Sequence, residues 1–148
     1  MKNLRKNLKS KKGFTLIELI VVIVILAILM AIMLPSLTGY IDQANQQGAL
    51  VEARNVYAAL QTMNGLQYGQ RLTGTSAYFN GDGASVSLTA AGVIKLNQLI
   101  GVAANTYNAG TGTGAVSAIN RTGNTVIGFK LATASYGVTY VSGQFTID

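Results

Sequence analysis

A run dominated by Ile, Val and Leu, from Phe14 to Leu34, constrains this chain more than any other feature. Its 21 residues contain one ionisable side chain, Glu18. As an α-helix the run would be about 31 Å long, at roughly 1.5 Å per residue, which matches the roughly 30 Å hydrocarbon core of a bilayer. Because lipid offers no hydrogen-bond partners to the backbone, such a run must form a helix there. We therefore predict a membrane-spanning helix.

The surplus of positive charge lies on the N-terminal side of this run. Six of the eleven Lys and Arg residues occur within residues 1–12, and the other five are balanced by five acidic residues, so residues 14–148 are neutral. Basic residues stay on the cytoplasmic side of a spanning helix, which predicts a cytoplasmic N-terminus. Nucleic-acid binding requires a basic surplus, so we do not expect nucleic acid to be a partner of this chain alone.

The position of Glu18 separates several interpretations of the run. A secretory signal peptide has an apolar region of about 7–15 residues followed by a small-residue cleavage site, and this run is longer and lacks that site. A plain single-pass anchor explains the length but not a carboxylate, which costs about 2.5–3.5 kcal/mol at the centre of a membrane helix. Glu18 could also reach the lipid headgroups from its position near the membrane surface. We favour a functional role, with a partner from outside the side chains of its own segment.

The residues Lys12-Gly13-Phe14-Thr15-Leu16-Ile17-Glu18-Leu19, followed by the apolar run and Pro35, resemble the N-terminus of type IV pilins and pseudopilins. The resemblance covers about residues 11–35. It implies that a prepilin peptidase cuts after Gly13 and that Phe14 is then N-methylated. It also implies that Glu18 pairs with the Phe14 amine of its own chain or of a neighbour, because a buried charge needs a partner.

The function implied by the resemblance is structural. The chain would be a subunit of a type IV pilus, made as an inner-membrane precursor and polymerised through its N-terminal helix into an extracellular filament serving motility or adhesion. Its partners would be itself, minor pilins, the prepilin peptidase and the assembly platform with its ATPase, and the membrane before assembly. Two alternatives remain: a pseudopilin of a type II secretion or DNA-uptake machine, and an anchored binding protein that never polymerises.

For the whole chain we predict an α+β fold, with a long N-terminal helix packed on a small antiparallel sheet. The predicted divisions are a leader (1–13), a transmembrane and assembly helix (14–35), an amphipathic half of that helix (36–64) and a globular head (65–148). Pro35 removes a helical hydrogen bond and Gly39 adds flexibility, so we predict a kink there.

The amphipathic half is predicted to pack mainly against the core and to end at Asn64-Gly65. It carries two apolar stripes, one formed by Leu37, Tyr40, Ile41, Ala44, Gly48 and Val51, and the other by Ala49, Ala53, Val56, Leu60 and Met63. In the head, loop signals dominate from Gly65 to Thr89. The short apolar pattern over residues 93–100 indicates a helix or a covered strand, of which we favour the helix. Three or four strands are predicted over residues 116–120, 125–131, 136–141 and 144–147, the last two joined by Ser142-Gly143.

Composition and spacing argue against catalytic and metal sites. The sequence has no Cys and no His, which rules out disulfides, thiolate metal sites and His-dependent catalysis. Asn80-Gly81-Asp82-Gly83 offers one carboxylate where calcium takes six to eight oxygens, and we interpret it as a turn. The segment Gly110–Gly114 lacks the rest of a phosphate-binding motif and is interpreted as a loop. We therefore predict no enzyme activity, cofactor or metal.

Overall fold

The computed structural model describes residues 13–80, 84–104 and 106–148. The predicted leader, apart from Gly13, and the segment 81–83 of the predicted turn lie outside these residues. The chain divides into two compact units, one ending at Ile41 and the other formed by Asp42–Asp148.

One long helix, α1 (Leu16–Gln70), belongs to both units. It continues through Pro35 and Gly39 without a break in its helical assignment, and the kink at these residues stays a prediction. The predicted long N-terminal helix is confirmed.

The predicted end of this helix at Asn64-Gly65 is wrong, because α1 continues for six residues beyond Asn64. Asn64 is buried and its side chain bonds residues of the head. Gly65 inside the helix costs only about 1 kcal/mol of helix stability relative to alanine. The contacts of Asn64 with the head offset this cost. The helix ends instead at Gln70, where the Leu72 N–H donates to the carbonyl oxygen of Gln67 at 3.1 Å.

The second unit contains a six-stranded sheet in which each strand pairs with the next strand along the chain. All five pairings are antiparallel. The strands are β1 (Phe79–Asn80), β2 (Ser85–Leu88), β3 (Val116–Thr122), β4 (Thr125–Ala132), β5 (Gly137–Val141) and β6 (Gln144–Ile147). The four C-terminal strands confirm the predicted ones within two residues at each end, whereas the prediction missed β1 and β2.

The hairpin between β5 and β6 forms at the predicted dipeptide. Ser142 and Gly143 have φ angles of 47° and 99°, and Val141 pairs with Gln144 across them. Two consecutive residues with positive φ match the twist of the flanking strands. The position of Ser142-Gly143 therefore sets the register of the last two strands.

The predicted short helix is confirmed as α2 (Ala90–Ile100). Thr89 caps its start, because the Thr89 hydroxyl accepts from the Gly92 N–H at 3.0 Å. Gly101 ends it with a φ of 78°, a left-handed conformation that glycine adopts without steric cost.

The core lies between the sheet and the part of α1 that belongs to the second unit. From the helix it takes the second predicted stripe, Ala49, Ala53, Val56, Leu60 and Met63, together with Ala59. From the sheet it takes alternate residues such as Phe79, Ile119, Phe129 and Val138. The α+β arrangement of a long helix packed on an antiparallel sheet is pilin-like, as predicted.

The first predicted stripe does not belong to this core. Leu37, Tyr40, Ile41 and Val51 are between 46% and 69% exposed, and Ala44 and Gly48 are exposed as well. The prediction that most of the apolar face packs inward is therefore wrong for this stripe. Its members occupy a different side of α1 from the buried alanines, and the sheet covers one side only.

Candidate assembly segment

The N-terminal part of α1 is apolar and exposed along its length. Phe14 and Leu16 are 86% and 77% exposed, and all large apolar side chains from Phe14 to Leu34 are exposed. By length and composition, α1 is the one helix among the described residues that could cross a membrane. Leaving this much apolar surface in water is unfavourable by about 25 cal/mol per Å², so the segment requires lipid or protein around it.

Glu18 has a partner that the sequence interpretation missed. Its Oε2 atom accepts from the Thr15 backbone N–H at 2.8 Å and from the Thr15 hydroxyl at 2.9 Å. In return, the Glu18 N–H donates to the Thr15 hydroxyl oxygen at 3.3 Å. These reciprocal bonds form a capping box at the start of α1.

The capping box corrects the expectation that Glu18 has no partner within its own segment. The spacing Thr-x-x-Glu before an apolar run is a readable signal for such a box, and the sequence interpretation did not use it. The box satisfies backbone groups that the first turn of a helix otherwise leaves unpaired. Glu18 therefore has a local structural role in addition to any role in assembly.

The predicted processing and assembly residues are adjacent at this end of the chain. Gly13 and Phe14 are exposed and precede the first residue of α1, and no heavy atom lies within 4 Å of the position where a Gly13 Cβ would be. Glu18 lies within the first turn. Among the described residues, nothing beyond its chain neighbours crowds the Cα of Gly13.

Polar side chains of α1 connect the second unit's helix to its sheet and loops. The side chains of Gln61 and Gln67 hydrogen-bond backbone groups of the head. Gln61 donates from Nε2 to the Asn124 carbonyl oxygen at 2.9 Å, and its Oε1 accepts from the Val126 N–H at 2.8 Å. Such contacts among the described residues include Asp42 with Tyr136, Glu52 with Tyr107, Tyr57 with Tyr140, Gln61 with Asn124 and Val126, Asn64 with Arg121 and Gly123, and Gln67 with Tyr78 and Phe79. These directional contacts fix the position of α1 along the sheet, which small alanine side chains alone would not.

One of these contacts joins Glu52 of α1 to the buried Tyr107. Burial of Tyr107, together with the negative charge of Glu52 and a hydrogen bond to it, raises the pKa of the Tyr107 hydroxyl to about 12. Tyr107 is 4% exposed and lies in the irregular segment between α2 and β3. The contact therefore attaches that segment to the helix.

Over the part of the chain that the structure describes, no three His, Cys, Asp or Glu side chains come close enough to hold a metal ion. Asp82 of the predicted turn lies outside that part. In the N-terminal segment, the Glu18 carboxylate, the Gly13-Phe14 bond and the apolar part of α1 are adjacent.

Residues 8–34 match the family model described as the prokaryotic N-terminal methylation motif. This is the prepilin motif that type IV pilins and pseudopilins share, and it includes Gly13, Phe14 and Glu18. No curated protein and no solved structure shows significant similarity to the chain. The motif and the apolar helix support a membrane-anchored precursor of the pilin or pseudopilin type.

Proposed function

We propose that this chain is the structural subunit of a type IV pilus. The methylation motif at residues 8–34 carries the proposal, because it covers the exposed apolar part of α1, a helix whose later residues pack in the core of the head. Cleavage after Gly13 would release the basic leader and leave Phe14 as an N-terminal amine. The apolar helix would then move from lipid into a bundle of identical helices.

In this bundle the exposed side chains from Phe14 to Leu34 would pack against those of neighbouring copies. Transfer from lipid gives little hydrophobic gain, so close packing and polar pairs decide the arrangement. A Glu18 carboxylate paired with the Phe14 amine of a neighbour would fix the axial register, because a buried unpaired charge is costly. Prepilin peptidase, the assembly platform with its ATPase, and minor pilins are the partners of this route, and the surface filament is its product.

Two variants of Glu18 test the proposal in a host that carries type IV pilus machinery. Glu18→Ala removes both the charge and the capping box, whereas Glu18→Gln retains an oxygen that accepts from Thr15 but removes the charge. We expect both variants to be processed and to leave no filaments in the fraction sheared from the cell surface. Filaments from Glu18→Gln, with none from Glu18→Ala, would assign Glu18 to helix capping and contradict its role in charge pairing.

The amount of this chain in the fraction sheared from the cell surface distinguishes a pilus subunit from a pseudopilin and from a plain membrane anchor. A pilus subunit should be abundant in the sheared fraction of cells expressing the unchanged chain. A processed chain that stays with the cells would instead indicate a pseudopilin, and an unprocessed chain in the membrane would indicate a plain anchor.

A further inference from the structure

A cavity of about 240 Å³ lies beside the C-terminal end of α1, within the second unit. The residues that line it are Gln67, Tyr68, Arg71, Leu72, Thr73 and Arg121. Among these described residues none is acidic, and two carry a guanidinium group. The lining of the cavity is therefore rich in hydrogen-bond donors and positive charge, and polymerisation through the apolar part of α1 makes no use of it.

Gln67 presents a largely buried donor to this cavity. Its side chain is 7% exposed, and its Oε1 accepts from the backbone N–H groups of Tyr78 and Phe79 at 2.8 and 3.0 Å. These two bonds fix the orientation of the amide. Its Nε2 has no hydrogen-bond partner among the residues that the structure describes. Because buried donors are normally paired, this group indicates a ligand with an acceptor oxygen.

Arg71 adds a positive charge to the cavity. Its side chain is exposed, and its φ of 50° is a left-handed conformation that is unfavourable for a residue with a Cβ. The position directly follows α1, where glycine is the usual residue. Glycine there would remove the backbone strain and the charge together, which favours a use for the Arg71 guanidinium. The buried guanidinium of Arg121 is held beside the cavity by its 3.1 Å bond to Asn64.

The position of the cavity limits the charge of a ligand. The C-terminal end of a helix carries a partial negative charge, which disfavours anions. The Leu72 N–H offsets part of this effect, because it donates to the Gln67 carbonyl oxygen at 3.1 Å. A carboxylate carries a single negative charge and matches the planar guanidinium of an arginine. It therefore fits this place better than a doubly charged phosphate does.

We propose that this cavity binds the carboxylate of a sugar acid. The carboxylate accepts from Arg71 and from Nε2 of Gln67. The sugar ring packs on Tyr68, whose side chain is 49% exposed, and a sugar hydroxyl bonds the Thr73 hydroxyl. The volume lies below the roughly 300–1,000 Å³ of pockets for drug-sized ligands, which suits one sugar ring. The site belongs to the single chain, and its repetition along a filament would add avidity for an acidic polysaccharide.

An NMR titration of the full chain in micelles of a sugar-free detergent tests the site without requiring filaments. With sodium glucuronate as the probe, we expect a saturating shift of the Gln67 side-chain amide signals. Glucose, which lacks the carboxylate, and inorganic phosphate should each bind roughly tenfold more weakly or less. A missing glucuronate response, or equal affinity for glucose or phosphate, would overturn the assignment to a sugar acid.

Two arginine variants locate the binding. Arg71→Gln removes the charge at an exposed position and should weaken glucuronate binding roughly tenfold. Arg54→Gln is the matched control, because Arg54 is exposed on α1 and does not line the cavity, and it should leave the affinity unchanged. The backbone amides of β4 and β5 report whether the head stays folded. Equal affinities in both variants and the unchanged chain would overturn the proposal and leave the pilus function untouched.

Discussion

Arg121 donates from Nη1 to Oδ1 of Asn64 at 3.1 Å, which joins β3 to the last turns of α1 inside the head. Arg121 is 3% exposed, and its guanidinium lies 5.4 Å from the Phe79 ring centroid and 5.9 Å from that of Tyr68. A charged group at this depth is held by specific partners. Asn64 is therefore more than a helix-ending residue.

Replacing Asn64 should test this relationship. Asn64→Ala removes an acceptor from a buried guanidinium, and we expect the free energy of unfolding to fall by about 1–3 kcal/mol. The measurement is urea unfolding of the full chain in detergent, followed by tyrosine fluorescence because the chain has no Trp. Asn55→Ala, the same change at an exposed position of α1, should alter stability by no more than about 0.5 kcal/mol. Equal effects of the two changes would contradict the role of Asn64.

Gly92 and Gly69 both lie within helices, but replacing each by alanine should have opposite effects on the stability of the head. A Cβ at Gly92 would overlap the carbonyl oxygen of Tyr78, whereas one at Gly69 would meet nothing within 4 Å. We expect Gly92→Ala to lower the melting temperature of the head markedly, because backbone must shift. Gly69→Ala should raise stability by up to about 1 kcal/mol through helix propensity. A Gly92→Ala chain as stable as the unchanged one would show that α2 does not lie so close to Tyr78.

The Tyr107 hydroxyl should give the head a specific sensitivity to alkali. Its pKa is raised to about 12 by burial and by Glu52, while an unfolded tyrosine has a pKa of about 10. Between these values the folded chain retains a proton that the unfolded chain has lost, so stability falls as the pH rises from about 10 to 12. Tyr107→Phe should reduce this decline and Tyr40→Phe should not, as measured by unfolding free energies from pH 9 to 12. Parallel pH profiles for all three proteins would contradict the assignment.

The elements that depend on local sequence alone, namely the long helix, the C-terminal strands and one hairpin turn, could be predicted from the sequence. The apolar run could only be a long helix, and the β-branched and aromatic residues around Val126 and Val138 indicated strands. The hairpin at Ser142-Gly143 followed from turn chemistry. These elements each depend on local sequence, and the structure confirms them.

The strand β2 was also readable in principle. Its sequence Ser85-Val86-Ser87-Leu88 alternates polar and apolar residues, and its burial alternates in the same way. The surrounding glycines and its length of four residues concealed the signal. Its partner β1 has two residues and no period to detect.

The inward position of Arg121 could not be predicted from alternation. Strict alternation from the buried Val116 would place residues 118 and 120 inside. The register shifts after Ser117, and Ala118 has a φ of 49°, so an extra residue reverses the sides. Ile119 and Arg121 then face inward. This irregularity depends on tertiary contacts that the local sequence does not reveal.

The most direct test of the central claim is the mass and N-terminal residue of the chain in material sheared from the cell surface. The account predicts a chain that starts at Phe14 and is heavier by one methyl group than residues 14–148. A chain that retains Met1 and stays in the membrane, with none in the sheared fraction, would contradict it.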